Sequence, residues 1–439
     1  MAEFNGKFQY QDSKGNVTQE GACRIHFDEQ TLTLTPASGI PTAVDLGDLD
    51  AVIAADYEIR LPLYTGNTIV LRQLAKTYDN LAKDLLEAYR KRAVQCLLLE
   101  DLQEIDRFTG NFAIGQKQPA PAEFRLYKSN LAVLPTASQS FQWRLADLDS
   151  VRFDDAAYEV VLECGSDRLR VSKLAKRTEE FATRVQDALS SVATQSVQAL
   201  HSAFPFLNPD QLRESASLLR EGRSAIVANL DAIHPKFSTA LASNAVDQNL
   251  KPYFDELIGR TAKDQLHAGF KLIRAEDGEE LAADETADES GDDVSTALDA
   301  DKTGPPTLYW FFFPIARRPG SSEVANLVAW EASSASGRAT YFFRLIDPAR
   351  VNDLRDAHVS EAAVRRLNRV LGMLNFHRRP IYLSDDELAL DPKFRRYAIA
   401  ARRMPEVREV RANFLGRAIH SSVDAWKDQF DAILKKSAD

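Results

Sequence analysis

Asp48–Lys76 reads DLDAVIAADYEIRLPLYTGNTIVLRQLAK and Asp147–Lys176 reads DLDSVRFDDAAYEVVLECGSDRLRVSKLAK. The two stretches align at an offset of 99 to 101 residues. Asp48-Leu49-Asp50 falls on Asp147-Leu148-Asp149, Tyr57-Glu58-Ile59 on Tyr158-Glu159-Val160, and Leu74-Ala75-Lys76 on Leu174-Ala175-Lys176. The match extends back to Leu32, Leu34 and Pro36 (Leu131, Val133, Pro135). It runs forward to Leu81, Leu85 and Ala88 (Phe181, Val185, Ala188). The offset slips only at loop-like places, as it does between two related domains. A period near 100 residues is domain-sized and exceeds that of a solenoid.

Each unit reads alike. Cys23-Ile25-Phe27, Leu32-Leu34, Val44-Leu46, Tyr57-Ile59-Leu61 and Ile69-Leu71 alternate with polar residues, the mark of strands buried on one face. Gly66 and Gly165 supply permissive backbone at hairpin turns. After Thr77 the period changes to that of a helix, carried by Leu81, Leu85 and Leu86 and by Phe181, Val185 and Ala188. The fold class is α+β. It comprises two tandem barrels of antiparallel strands (1–102 and 103–195), each closed by a C-terminal helix, then a helical connector (196–266) and an α+β domain (267–439).

This order of strands, final hairpin and closing helix resembles the pleckstrin-homology-like superfold, including its bacterial members, over about 1–100 and 103–195. The resemblance implies a bent seven-stranded sheet with one open end plugged by the helix. In lipid-binding members the first loop is rich in Lys and Arg. Here that loop holds Asp12, Lys14 and Glu20, and its counterpart holds Lys117 beside Pro119 and Pro121. Phosphoinositide or membrane-surface binding is therefore not expected, because a phosphate cluster needs several convergent cations. The related phosphotyrosine-binding domains take a peptide beside an edge strand and the closing helix. That resemblance puts a protein or peptide partner near Ile69, Leu71, Leu81 and Leu85.

The chain has 439 residues, an apolar fraction of 44% and a formal charge of −10. Residues 275–301 alone hold 12 carboxylates and no basic residue, leaving +2 for the remainder. This acidic stretch (275–303) has no periodicity and few large apolar residues, so it reads as a disordered insertion. The three cysteines have no paired spacing and suit a reducing, cytoplasmic setting. No apolar run reaches the roughly 20 residues that cross a bilayer.

In the connector, Asn208-Pro209-Asp210 marks a helix start. The last domain shows four strand candidates: Gly269–Ile273, Leu308–Ile315, Ala325–Ala332 and Thr340–Ile346. The second is apolar on both faces and so central. Residues 333–338 read as a hairpin loop, a helix starts near Ser360, and 380–384 reads as a short strand. A long final helix is expected from Pro405, through Val410, Phe414, Ile419, Val423, Trp426 and Phe430.

No stretch reaches the strength of a catalytic, cofactor or metal motif. The seven histidines lack metal-ligand spacing, and no Gly-rich loop opens a helix. No cofactor and no metal are expected. Asp45, Asp48 and Asp50 suggest either a cation site or turn capping, and their recurrence as Asp147 and Asp149 favours capping. Residues 338–417 hold sixteen arginines plus Lys393 against ten acids. Arg365, Arg366 and Arg369 lie on one helix; Arg395, Arg396, Arg402 and Arg403 lie on another. Arginine suits carboxylate and phosphate recognition. Three uses compete: a solvated face, a surface screened by the acidic segment until a partner displaces it, and nucleic-acid binding. The last is disfavoured by overall acidity and the absence of interleaved aromatics. The reading is a non-enzymatic interaction or scaffold protein. Its competitor is an enzyme in the last domain built on Trp330-Glu331, Arg344 and His377.

Overall fold

A computed structural model describes residues 4–244, 246–273, 307–332, 339–390 and 394–437. The acidic stretch 275–303, the loop 333–338 and Lys393 lie outside the described residues. The chain forms two compact units: Met1–Ala188 with Ser384–Pro405, and Leu189–Leu383 with Glu406–Asp439.

The first unit contains both repeats. Repeat one runs through β1 (Phe4–Gln11), β2 (Val17–Phe27), β3 (Thr31–Pro36), β4 (Thr42–Asp45), β5 (Ile53–Ala55), β6 (Glu58–Pro62) and β7 (Thr68–Arg72) into helix α1 (Tyr78–Cys96). Repeat two has β8 (Glu104–Ile114), β9 (Ala120–Tyr127), β10 (Asn130–Pro135), β11 (Phe141–Arg144), β12 (Ser150–Asp154), β13 (Glu159–Cys164) and β14 (Asp167–Ser172) before helix α2 (Thr178–Ala203). The strand orders are β4-β3-β2-β1-β7-β6-β5 and β11-β10-β9-β8-β14-β13-β12. All pairs are antiparallel. Both sheets therefore have the seven-stranded, helix-closed pleckstrin-homology-like arrangement. Ile25, Leu34, Ile59 and Leu71 meet Leu81 and Leu85 of α1 in one solvent-free core. Each such side chain contributes about 1.5–3 kcal/mol when fully buried.

The repeat reaches further than the alignment above. Phe4-Asn5-Gly6-Lys7-Phe8 on β1 corresponds to Phe108-Thr109-Gly110-Asn111-Phe112 on β8. A Cβ on Gly6 would lie 2.7 Å from Leu74 Cδ2, and one on Gly110 2.7 Å from Leu174 Cδ2. Thus the Leu of each Leu-Ala-Lys motif packs over a first-strand glycine. The repeats also pack on each other: Leu97 and Leu99 after α1 share a cluster with Tyr127, Ala132 and Leu134. Arg90 pairs with Glu123 at 3.0 Å, and Gln142 Nε2 donates to the Leu97 carbonyl at 2.6 Å.

The second unit opens with α3 (Pro209–Leu218), α4 (Val227–Ile233), α5 (Phe237–Asn244) and α6 (Lys251–Gly259). Asn208 caps α3 in a full capping box with Gln211. The sheet order is that of β15 (Ala225–Ile226), β16 (Thr261–Ile273), β17 (Thr307–Arg317), β18 (Val324–Ala332), β19 (Ala339–Phe343) and β20 (Phe414–Ile419), each paired with the next. β17 is interior, as its two apolar faces imply. Helix α7 (Ala357–Met373) starts from an Asp356 cap.

Two expectations are corrected. Residues 379–382 form a helical turn, α8 (Arg379–Tyr382), with Pro380 in its first turn. Proline there costs no helical hydrogen bond, whereas in a strand it would remove a ladder donor. The long final helix is three elements. After α9 (Asp385–Leu390) and α10 (Arg395–Arg403), α11 (Pro405–Asn413) stops, β20 pairs with β19, and α12 (Val423–Lys436) restarts from a Ser422 cap. The outer edge of β19 takes residues 414–419 as a partner, and this sheet pairing overrides the helical spacing of Phe414 and Ile419. Gly416, at φ 149°, sits in backbone that glycine tolerates best.

Candidate helix-docking site

In the first unit, α10 lies against repeat one. The α10 sequence, Arg-Arg-Tyr-Ala-Ile-Ala-Ala-Arg-Arg, buries Tyr397, Ala398, Ile399, Ala400 and Ala401 and carries arginines at both ends. Its seat is the 3-10 turn Leu46–Asp48 and the C-terminal half of α1. Asp45 builds the turn, accepting from the Gly47 amide at 2.6 Å and binding Arg92 through Nε (2.9 Å) and Nη2 (2.8 Å). Gly47 opens the seat. A Cβ there would stand 2.8 Å from Cys96 Sγ, 2.9 Å from Asp45 Oδ1 and 3.1 Å from Ile399 Cγ2. Burial pushes the Cys96 thiol up to about 12, so it packs as an apolar group.

The arginines meet the Asp-Leu-Asp motif. Arg402 reaches Asp48 at 3.1 Å. Arg403, 7% exposed at its side chain, binds Asp50 at 2.9 Å and donates to the Leu49 carbonyl at 2.9 Å. Both guanidinium groups flank the Tyr64 ring. Tyr89, held protonated by burial at about 12, donates to the Asp50 carbonyl at 2.8 Å and steadies that backbone. At the other end Arg396 pairs with Asp101, and Glu100 lies 3.7 Å away. Gln139 of repeat two donates to the Arg403 carbonyl. Burial raises the Asp48 carboxyl despite its arginine partner, so docking here carries a desolvation cost.

Repeat two lacks this seat. At the shared offset, Arg144 stands for Asp45 and Ala146 for Gly47. Arg144 lies 3.8 Å from Asp147, and Asp149 accepts from the Gly165 amide at 2.7 Å. Asp45 thus caps its turn while also holding Arg92, Asp149 accepts from a hairpin amide, and Asp48 and Asp50 take arginine side chains. Arg403→Met is expected to destabilise the first unit by about 2–3 kcal/mol, because it leaves Asp50 and the Leu49 carbonyl without their shared donor. Hydrogen exchange in α10 and in residues 46–50 is the readout, and unchanged protection would refute it.

The other anticipated residues fall elsewhere. Ile69, Leu71, Leu81 and Leu85 have no exposed surface. β7 is paired on both sides, by β1 and β6, so no strand can add beside Ile69 and Leu71; the end strands of the two sheets are β4, β5, β11 and β12. Arg395 donates to the Ala389 carbonyl at 3.3 Å. Arg365, Arg366 and Arg369 belong to the second unit. Arg365 lies 3.6 Å from Glu361. Burial first, and then the Arg365 charge, lower the nearby His267 to about 4, so that imidazole stays neutral. Arg366 pairs with Glu409 at 2.6 Å on the wall of a pocket of about 370 Å³ floored by Leu345, Val359 and Ala363. Arg369 is half-buried on the same helix.

The anticipated catalytic residues do not converge. Trp330 lies against Tyr341 and Phe376, whereas Glu331, its neighbour on β18, bonds Thr340 and His420. Arg344 donates to the Lys436 carbonyl at 3.3 Å, and His377 is fully buried after α7. Glu331 instead anchors a buried cluster that the sequence reading missed. Thr340 Oγ1 donates to Glu331 Oε2 at 2.5 Å and accepts from Trp426 Nε1 at 2.9 Å. His420 Nε2 lies 3.1 Å from the same hydroxyl and 3.3 Å from the carboxyl, under the Tyr253 ring. The imidazole tautomer sets whether His420 Nε2 donates to this hydroxyl or accepts from it. The sequence signal was absent because His420 directly follows β20, whose residues read locally as helix.

Among the described residues no group of three or more His, Cys, Asp or Glu could hold a metal ion, and no helix is long and apolar enough to cross a membrane. No known protein-family profile matches the chain, and no curated protein is detectably similar to it in sequence. Solved structures share local architecture. One is the C-terminal domain of an unknown protein from Leishmania infantum (9% identity, 24% of this chain and 97% of that one, TM-score 0.21). Another is the DH/PH region of PDZ-RhoGEF, solved with GTP-gamma-S activated RhoA (13% identity, 26% of this chain and 43% of that one, TM-score 0.20). A third is the linker-DH/PH region of p115-RhoGEF (7% identity, 26% of this chain and 47% of that one, TM-score 0.19). The chain thus spans less than half the length of the two exchange-factor chains it matches. These likenesses carry no functional argument; the fold rests on strand order, register and the closing helices.

Proposed function

We propose that this protein is a non-enzymatic interaction or scaffold protein that takes a protein or peptide partner through its pleckstrin-homology-like units. The observation that carries this reading is the docked α10 helix. Repeat one already holds a nine-residue helix through carboxylates, backbone carbonyls and an apolar seat opened by Gly47. This is peptide recognition performed within one chain. The sheet ends offer a second mode. β12 ends its sheet with Val151 and Phe153 half-buried against the core, and backbone pairing there suits an extended segment. The first loops remain poor in convergent cations, so an anionic membrane is the weaker candidate partner.

The test is cross-linked capture by the full chain in its native cell, compared with Asp48→Lys/Asp50→Lys and Phe153→Asp variants. A discrete protein recovered by the wild type and lost from either folded variant is the expected result. A partner set unchanged by both variants, or lost only on deleting residues 276–301, would remove the pleckstrin-homology-like units as the binding site.

A further inference from the structure

We propose that the acidic turn of repeat one is a receptor for an arginine-bearing helix of a partner protein, and that α10 occupies it as a competing ligand in cis. The inference rests on the interaction-module reading above and names the partner's chemistry.

The geometry defines a pattern. Arg396, Ile399, Arg402 and Arg403 are the residues of α10 that meet Asp101, the space above Gly47, Asp48 and Asp50. They are spaced Arg-x-x-Ile-x-x-Arg-Arg, which sets all four on one helical side. A partner helix with this spacing would meet the same carboxylates and the Leu49 carbonyl. Selectivity is built in: repeat two has the same Asp-x-Asp but carries Ala146 and Arg144 where the seat needs Gly47 and Asp45.

Three features make the cis ligand displaceable. The Arg396–Asp101 pair is open to solvent, with Asp101 73% exposed at its side chain, and such pairs hold weakly, while the half-buried Arg402–Asp48 pair is offset by the desolvation of Asp48. A nine-residue helix is marginal on its own in water, so α10 gains its helicity by docking and loses it on release. Among the described contacts the most buried are those of Arg403 and of the apolar face Tyr397–Ala401, so substitutions there loosen the helix.

The experiment uses a fluorescein-labelled peptide of residues 394–405 and the full-length chain. Wild type should bind it weakly, because the tethered copy competes. Arg402→Ala/Arg403→Ala in the full chain should bind it at least tenfold tighter, and adding Asp48→Lys/Asp50→Lys should abolish binding. A scrambled peptide of equal composition should not bind. If the double variant loses its fold by circular dichroism, Ile399→Ala/Arg402→Gln loosens α10 more gently and carries the same expectation. Equal affinity for wild type and loosened chains, or equal binding of the scrambled peptide, overturns the proposal. So does a concentration-dependent dimer of the wild type that the peptide dissociates, which would assign the seat to helix exchange between copies. A negative peptide result beside a partner still lost from Phe153→Asp would remove the helix receptor and leave the interaction-module reading intact.

Discussion

Thr340→Val is expected to destabilise the second unit by about 4 kcal/mol and lower its melting transition by about 10 °C. Valine matches threonine in shape, so the loss is purely polar. The Thr340 hydroxyl donates to Glu331 and accepts from Trp426, and His420 is within bonding distance. All four side chains lie in the interior, and Glu331 Oε1 already has no partner. Removing the hydroxyl leaves a buried carboxyl with His420 alone and orphans the Trp426 N–H. Thr340→Ser keeps the three bonds and should cost only about 1 kcal/mol. Hydrogen exchange resolved over β18, β19 and α12 reads the effect without assuming that the whole chain unfolds in one step. Equal losses for valine and serine would show that the methyl, not the hydroxyl, holds the cluster.

Gly269→Ala is expected to cost about 3 kcal/mol in the same unit, through overpacking. Gly269 pairs with Phe311 across β16 and β17, and the Phe311 ring lies over the glycine. An added Cβ would meet ring carbons at 2.2 and 2.4 Å. The ring cannot swing clear, since it is fully buried and packs on Phe376 at 4.5 Å and Phe313 at 5.7 Å between centroids. Phe311→Leu should rescue Gly269→Ala in part, giving a double variant more stable than the sum of the two single losses. Additive losses would mean that the glycine is needed for its backbone and not for the space above it.

Local pattern in the sequence sufficed for the two repeats. Alternation at Ile25, Leu34, Ile59 and Leu71, and helical spacing at Leu81 and Leu85, are consequences of which side chains must leave water. Those faces all became core. The Phe-x-Gly-x-Phe correspondence escaped because its offset of 104 residues differs from the rest, and only strand register restores it. The Asp-Leu-Asp motif was visible as a repeated feature but its partners were not. Arg402 and Arg403 stand some 350 residues away, and no local rule pairs a carboxylate with one arginine among many. Likewise Glu331 stood out as a polar residue in an apolar strand, while Thr340 and His420 became its neighbours only when β20 joined the sheet. The sequence by itself determined the strand pattern and the closing helices of the two repeats, because burial follows short-range periodicity; their strand order it offered only as a resemblance, which the pairing then matched. Tertiary structure alone decided that one repeat would seat a helix and the other would not. That choice turns on a missing Cβ at Gly47 and on charges that meet only after the chain has folded.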